Sequence, residues 1–307
     1  MTADITALRN ALIDEIIRAV GLPLNARLPR FLLAKIFHGP IEEFSSSGAT
    51  FDQMVADEGF EKAAAWLLPR ACSSVTAHGT EHIPARGPLL IIANHPGTFD
   101  VLLIASCMNR DDIKIITSDI VFLKNLPNTF THLIFRARTN DIYSRMTAIR
   151  AGIRHLQSGG ALILLGSGLL DPDPEISALA EKNLEHWSPS IDLFLEKVPE
   201  TNILVTIVSG MLSRSWSDHP ITWLRRAEWR KHLLAEVGQV AQQLLFPGSL
   251  YLTPHISFAQ AVGIAELQRE SSSGRNLPAI ITRAKTLMAQ HLDRITYVPC
   301  GSAEAGN

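Results

Sequence analysis

Leu89-Leu90-Ile91-Ile92-Ala93-Asn94-His95-Pro96-Gly97-Thr98-Phe99-Asp100 decides how this chain is read. Five apolar residues in a row fit a strand buried on both faces, as the interior of a parallel sheet requires. The run Val101-Leu102-Leu103-Ile104-Ala105 that follows fits the start of a buried helix. Pro96 and Gly97 are the turn formers between them. His95 then stands at a strand end, where a side chain can meet a cleft. Asp100 stands in the first turn of a helix, where the dipole favours an ionised carboxylate. If the turn folds back, the two meet as a base and its orienting carboxylate. Otherwise they are a capped helix beside a surface histidine.

Outward from this stretch, short apolar runs alternate with helical stretches, the pattern of an α/β sheet. Ile113–Thr117, Leu133–Phe135, Ala161–Leu165, Ile203–Val208 and Tyr251–Phe258 read as further strands. Ser144–Gln157 reads as a helix, Asp171-Pro172-Asp173-Pro174 as a rigid loop, and 277–292 as a last amphipathic helix after Ser271-Ser272-Ser273-Gly274. Upstream, Ile5, Leu8, Leu12, Ile16 and Val20 recur at helical spacing, and Gly21 and Pro23 end that helix. A short helix over Phe31–Phe37 stops at Gly39-Pro40, and Ser45-Ser46-Ser47-Gly48 reads as a loop. Thr50 and Gln53 then form a capping box for a helix that runs to Leu68, before Pro69. The reading is one α/β domain over 74–307 with a helical N-terminal extension over 1–73.

An apolar share of 46% over 307 residues supports a sizeable core. A net charge of −2 supplies no field that would draw nucleic acid, so nucleic-acid binding is excluded as a class. Cys72, Cys107 and Cys300 are far apart, with no metal or redox spacing, and suit a reducing cytoplasm. His38, His132 and His255 likewise lack metal spacing. The N-terminus has no basic start followed by an apolar run, so no secretory signal is expected. No run approaches the roughly 20 apolar residues of a membrane span. An enzyme of lipids built this way must work from the membrane surface, and a cytoplasmic protein peripheral to the inner face is expected.

The segment Val75–Asp100, VTAHGTEHIPARGPLLIIANHPGTFD, resembles the opening of the glycerolipid acyltransferases, the family of the lysophosphatidic acid acyltransferases. The resemblance extends over about 74–210. It implies an α/β fold with a mixed sheet flanked by helices. It also implies O-acyl transfer from an acyl-CoA or acyl carrier protein thioester, used as co-substrate, to the hydroxyl of a lysophospholipid such as lysophosphatidic acid. No permanently bound cofactor or metal is implied. His95 takes the role of general base and Asp100 that of its orienting carboxylate, with the substrate hydroxyl as nucleophile and no acyl-enzyme. Ile134-Phe135-Arg136-Ala137-Arg138 matches the family strand whose final arginine grips the acceptor phosphate, which assigns that role to Arg138 and a secondary one to Arg136.

The third motif departs from the pattern. Where the family has Phe-Pro-Glu-Gly-Thr-Arg, this chain has Gly166-Ser167-Gly168-Leu169-Leu170, with Ser167 at the glutamate and Gly168 at the glycine. The turn can persist while the carboxylate is lost, so acylation of a phosphate-free lipid, or a catalytically silent lipid-binding relative, stays open. A hydrolase or thioesterase elbow is not present, because Leu165 replaces the leading glycine of Gly-x-Ser-x-Gly. Trp216, Trp223 and Trp229, interleaved with Arg225, Arg226, Arg230 and Lys231, fit either a lipid-facing surface or a docking helix with tryptophans in the core.

Overall fold

In the computed structural model the Leu89–Ala93 run is a strand buried at every residue, at the centre of a seven-stranded sheet. Residues 2–19, 21–25, 27–137, 141–224, 227–246, 248–270 and 275–296 are described. Val20, Arg138, Arg225, Arg226, Cys300 and Ser271–Gly274 lie outside them, as does the side chain of Trp229. The chain opens with α1 (Ile5–Ala19), α2 (Arg27–Ile36), α3 (His38–Glu58) and α4 (Phe60–Ala71). Edge strand β1 (Thr76–His78), central strand β2 (Leu89–Ala93) and α5 (Asp100–Ser106) follow. Next come β3 (Ile113–Ser118), α6 (Val121–Lys124), β4 (Leu133–Arg136), α7 (Ile142–Gln157) and β5 (Ala161–Leu165). Then α8 (Leu179–Asn183) and α9 (Ser190–Lys197) lead to β6 (Asn202–Ser209). The rest is α10 (Arg214–Ser217), α11 (Glu228–Leu245), β7 (His255–Phe258), α12 (Ile264–Glu270) and α13 (Asn276–Thr296).

The strand order is β1-β7-β6-β2-β5-β3-β4. From β6 to β4 every pairing is parallel, while β7 runs antiparallel to β6. Alternate residues of β2 face opposite layers. Leu90 and Ile92 join Leu162, Leu164, Ile203 and Val205 under α7, α9 and α13. Leu89, Ile91 and Ala93 join Ala161, Ile163, Leu204 and Val208 under α3, α4 and α5. Burial on both faces is why the strand reads as an unbroken apolar run rather than an alternation.

The N-terminal third differs from the sequence expectation in five places. Ser45–Gly48 is helical, because these small residues are a packing face. Ser45 is fully buried, and a Cβ on Gly48 would fall 2.9 Å from the Phe122 ring. Thr50 therefore lies inside α3, and its hydroxyl donates back to the Ser46 carbonyl at 2.9 Å instead of capping. The helix breaks at Gly59, whose φ of +92° and ψ of 165° belong to a region essentially reserved for glycine. Pro69 sits within the last turn of α4, where docking of Leu68 and Ala71 outweighs one missing hydrogen bond. The second helix, α2, also begins earlier than predicted and ends where α3 starts. At the other end of the sheet, β7 is shorter than predicted, because Pro254 has no amide for the ladder and pairing starts at His255.

Helices α3 and α4 thus share one core with the sheet, while α1 and α2 close over a smaller cluster of Ile13, Ile17 and Ile41. No helix among the described residues is long and apolar enough to cross a membrane. A polar clamp adds to the docking of α3. The fully buried Asp52 carboxylate accepts the Asn128 and Thr129 amides at 3.0 and 2.7 Å and the Asn128 side chain at 3.0 Å. Asp52→Ala strands these donors, and stability should fall by about 1–3 kcal/mol. The measurement is a urea unfolding midpoint that drops while the slope stays unchanged.

Candidate active site

The chain leaves β2 toward β3 and β4, returns through β5, and crosses to β6 on the other side. The C-terminal end of β2 is therefore the switch point where an open α/β sheet leaves a crevice. The first residue past the strand, Asn94, extends the ladder with its side chain. Its Nδ2 donates to the Val208 carbonyl at 2.8 Å, and its Oδ1 accepts the Val208 amide at 2.8 Å. Only an amide side chain supplies donor and acceptor together in this way. His95 follows, its amide donating to Asp171 Oδ2 at 2.9 Å and its carbonyl accepting the Asp171 amide at 2.7 Å.

The turn then brings Asp100 back under the imidazole. His95 Nδ1 and Asp100 Oδ2 are 2.9 Å apart, and the Gly97 amide donates to the same oxygen at 2.9 Å. Gly97 has no room for a side chain. A Cβ there would lie 2.6 Å from that of Met211 and 2.9 Å from Glu236 Oε1. With Nδ1 engaged by Asp100, Nε2 is the ring atom that a substrate hydroxyl can meet.

Burial lowers the His95 pKa below the ordinary histidine value, opposed by the Asp171 and Glu236 carboxylates. Burial raises Asp100 well above the usual carboxylate range, against the pull of the Gly97 amide. The pair titrates as a unit. Its base-competent form keeps the proton on Nδ1 against an ionised Asp100 and leaves the Nε2 lone pair open.

Of the other predicted residues, Arg136, Ser167 and Gly168 come together beside this pair. Arg136 Nη2 donates to the Gly168 carbonyl at 2.5 Å. Gly168 has φ +71° and a Cβ there would fall 3.0 Å from that nitrogen. Ser167 Oγ donates to Asp171 Oδ1 at 2.5 Å. Arg138 lies outside the described residues.

Sequence reasoning missed three groups. Asp171 stands in the loop whose sequence reads only as rigid, yet it joins His95, Ser167 and Asn183. Asp173 in the same loop accepts the Met211 amide at 2.9 Å and those of Gly210 and Glu175, which locks the loop to the end of β6. Burial nevertheless raises its pKa to about 6. The third is the pair His232 and Glu236 on α11. His232 Nε2 is 2.6 Å from the Pro96 carbonyl, and Glu236 binds the Thr98 hydroxyl. The loop's two aspartates, each before a proline, were the only available signal; nothing local marks His232 or Glu236.

A family model described as Acyltransferase matches residues 74–165. The match ends at Leu165, before Ser167, Gly168 and the Asp171–Asp173 loop. No curated protein matches the chain. Among solved structures, the chain is similar to the 1-acyl-sn-glycerophosphate (LPA) acyltransferase PlsC from Thermotoga maritima, with 15% identity and a TM-score of 0.44 over 95% of this chain and 99% of that one.

Asp171→Asn keeps an acceptor for the His95 amide and removes a charge that raises the imidazole pKa. The His95 titration, followed by NMR of labelled histidine, should therefore move to lower pH. A midpoint that stays or rises would contradict this electrostatic assignment.

Proposed function

We propose, from the acyltransferase match over residues 74–165, that the protein is an O-acyltransferase moving a fatty-acyl group from an acyl-CoA or acyl carrier protein thioester to the hydroxyl of a lysophospholipid such as lysophosphatidic acid. The observation that carries the reading is the 2.9 Å His95–Asp100 contact at the C-terminal edge of the central strand, inside the matched segment. His95 Nε2 removes the acceptor's hydroxyl proton as the oxygen attacks the thioester carbonyl carbon. Collapse of the tetrahedral adduct breaks the carbon–sulfur bond, and the departing thiolate takes the proton back from His95. Asp100 holds the tautomer and offsets the transient charge. No cofactor or metal enters this scheme.

A phosphate-free lipid acceptor is the second reading. The Asp171 carboxyl binds the His95 amide and Arg136 is committed to the Gly168 carbonyl, which makes the ground beside the base poor for an anion.

The access surface we assign to the membrane is α2. It buries none of its residues, it exposes Leu28, Phe31, Leu32 and Ile36, and its only charges are Arg27, Arg30 and Lys35. Apolar side chains among cations suit an anionic lipid surface. The tryptophan stretch divides. Trp216 docks on α11, with its indole nitrogen 2.7 Å from Gln242 Oε1, while Trp223 is 75% exposed.

Three outcomes test the proposal. His95→Ala should lower kcat by about 10²–10⁴-fold, in the range of a lost general base, with thermal unfolding unchanged. A labelled acyl thioester offered a panel of lysolipids should acylate phosphate-bearing acceptors, and labelling of phosphate-free acceptors alone would select the second reading. No transfer to any acceptor would leave a lipid-binding relative. Liposomes with anionic lipid should sediment the protein less as salt rises, and Phe31→Ser with Ile36→Ser should weaken binding at least tenfold, given about 1.5–3 kcal/mol for each large apolar side chain buried. Unchanged sedimentation of that variant would remove α2 from the interface.

A further inference from the structure

Two side chains one helical turn apart on α11 both reach the turn that follows His95. His232 Nε2 meets the Pro96 carbonyl at 2.6 Å. Glu236, 3% exposed, meets the Thr98 hydroxyl with Oε2, and its Oε1 lies 2.9 Å from where a Cβ on Gly97 would stand. Residues at i and i+4 share a helix face, so α11 presents them together. The Gly97 amide in the same turn donates to the Asp100 oxygen that binds the imidazole. The turn is thus held on one side by Asp100 and on the other by α11.

We propose that Glu236 is a positioning residue of the acyl-transfer site: its buried carboxyl, carried by α11, clamps the Gly97–Thr98 turn and thereby sets where the His95–Asp100 pair faces. The inference rests on the acyl-transfer reading of that pair. It does not follow from the matched segment, which ends 71 residues before Glu236.

The clamp has a defined charge state. Burial raises the Glu236 pKa to about 8, and the Asp100 carboxylate adds to the rise, while the Thr98 hydroxyl and His95 oppose it. At neutral pH the group is therefore an uncharged acid, able to donate as well as accept. The other ionisable groups of the site are His232 on its own helix, Asp171, which accepts the His95 amide, and Asp173, which holds the Met211 amide. Ionisation would place a second anion beside Asp100, where like charges repel strongly out of water. The clamp should loosen as pH rises through about 8, the value to which Glu236 is raised.

The test compares Glu236→Ala and Glu236→Gln with the full-length protein. Removing the carboxyl should lower kcat by about tenfold to 10²-fold with little change in KM for the thioester, the size of a misplaced catalytic group. Glu236→Gln, neutral at every pH, should recover most of that loss, and the decline of kcat above about pH 8 expected of the wild type should be absent. The His95 imidazole resonance, read by NMR without substrates, should shift in Glu236→Ala and stay near the wild-type position in Glu236→Gln. Wild-type kcat and an unmoved resonance in Glu236→Ala would overturn the proposal. So would Glu236→Gln as inactive as Glu236→Ala while folded, or a Glu236→Gln profile that keeps the alkaline decline. If the wild type transfers no acyl group yet the resonance shifts as stated, the acyl-transfer reading fails and the clamp stands.

Discussion

The peptide groups of Leu89–Ala93 are sealed from water, so every amide and carbonyl there must be met by a neighbouring strand. That requirement aligns β5 and β6 with β2 residue for residue, pairing Ala93 with Leu165 on one side and with Thr206 on the other. The residues just past those strand ends then have no freedom to scatter. His95 and Ser167 arrive side by side because β2 and β5 stop together at the paired residues Ala93 and Leu165, while β6 runs on to Ser209. Asn94 carries the same constraint one residue further, filling the next rung of the ladder with a side-chain amide.

About the His95–Asp100 turn the fold gathers four buried carboxyl groups, Asp100, Asp171, Asp173 and Glu236. A buried carboxyl must be hydrogen-bonded or protonated. Which of the two prevails follows from its donors. Asp173 has the amides of Glu175, Gly210 and Met211, and burial raises it only to about 6. Glu236 is opposed chiefly by Thr98 and rises to about 8. The same burial thus yields a loop anchor near the sheet and a neutral acid under the turn. His95 is pulled toward its neutral form by burial, and that is the form a base requires.

The N-terminal helices divide by the same rule of what is sealed from water. The apolar faces of α3 and α4 close the sheet layer that holds Leu89 and Ile91. By contrast α2 has no buried residue, and its apolar side chains stay in reach of a second surface. Helix α1 joins the two parts, packing on α2 and α3 and also on α6 and α11. Helices α2 and α11 are therefore linked through α1.

The sequence alone determined the features set by local chemistry. The buried central strand is legible because burial on both faces leaves no polar alternation. The His95–Asp100 pairing is only half legible: Pro96 and Gly97 permit a return turn without requiring one, the resemblance over 75–100 favours it, and the folded turn closes it at 2.9 Å. The break in the third motif is plain from Gly166-Ser167-Gly168, though the meaning of Ser167 is not. Its hydroxyl bonds a carboxylate four residues on, and that carboxylate reaches His95 across 76 residues of chain. The serine run at 45–47 misled because small polar residues serve a loop and a tight helix contact equally, and only Phe122 lying against Gly48 decides between them. Glu236 lies 138 residues from the threonine it binds, on a helix whose pattern shows an ordinary docking face. Contacts of that kind depend on which elements the sheet order brings together, and strand order is a property of the packed chain that no local spacing records.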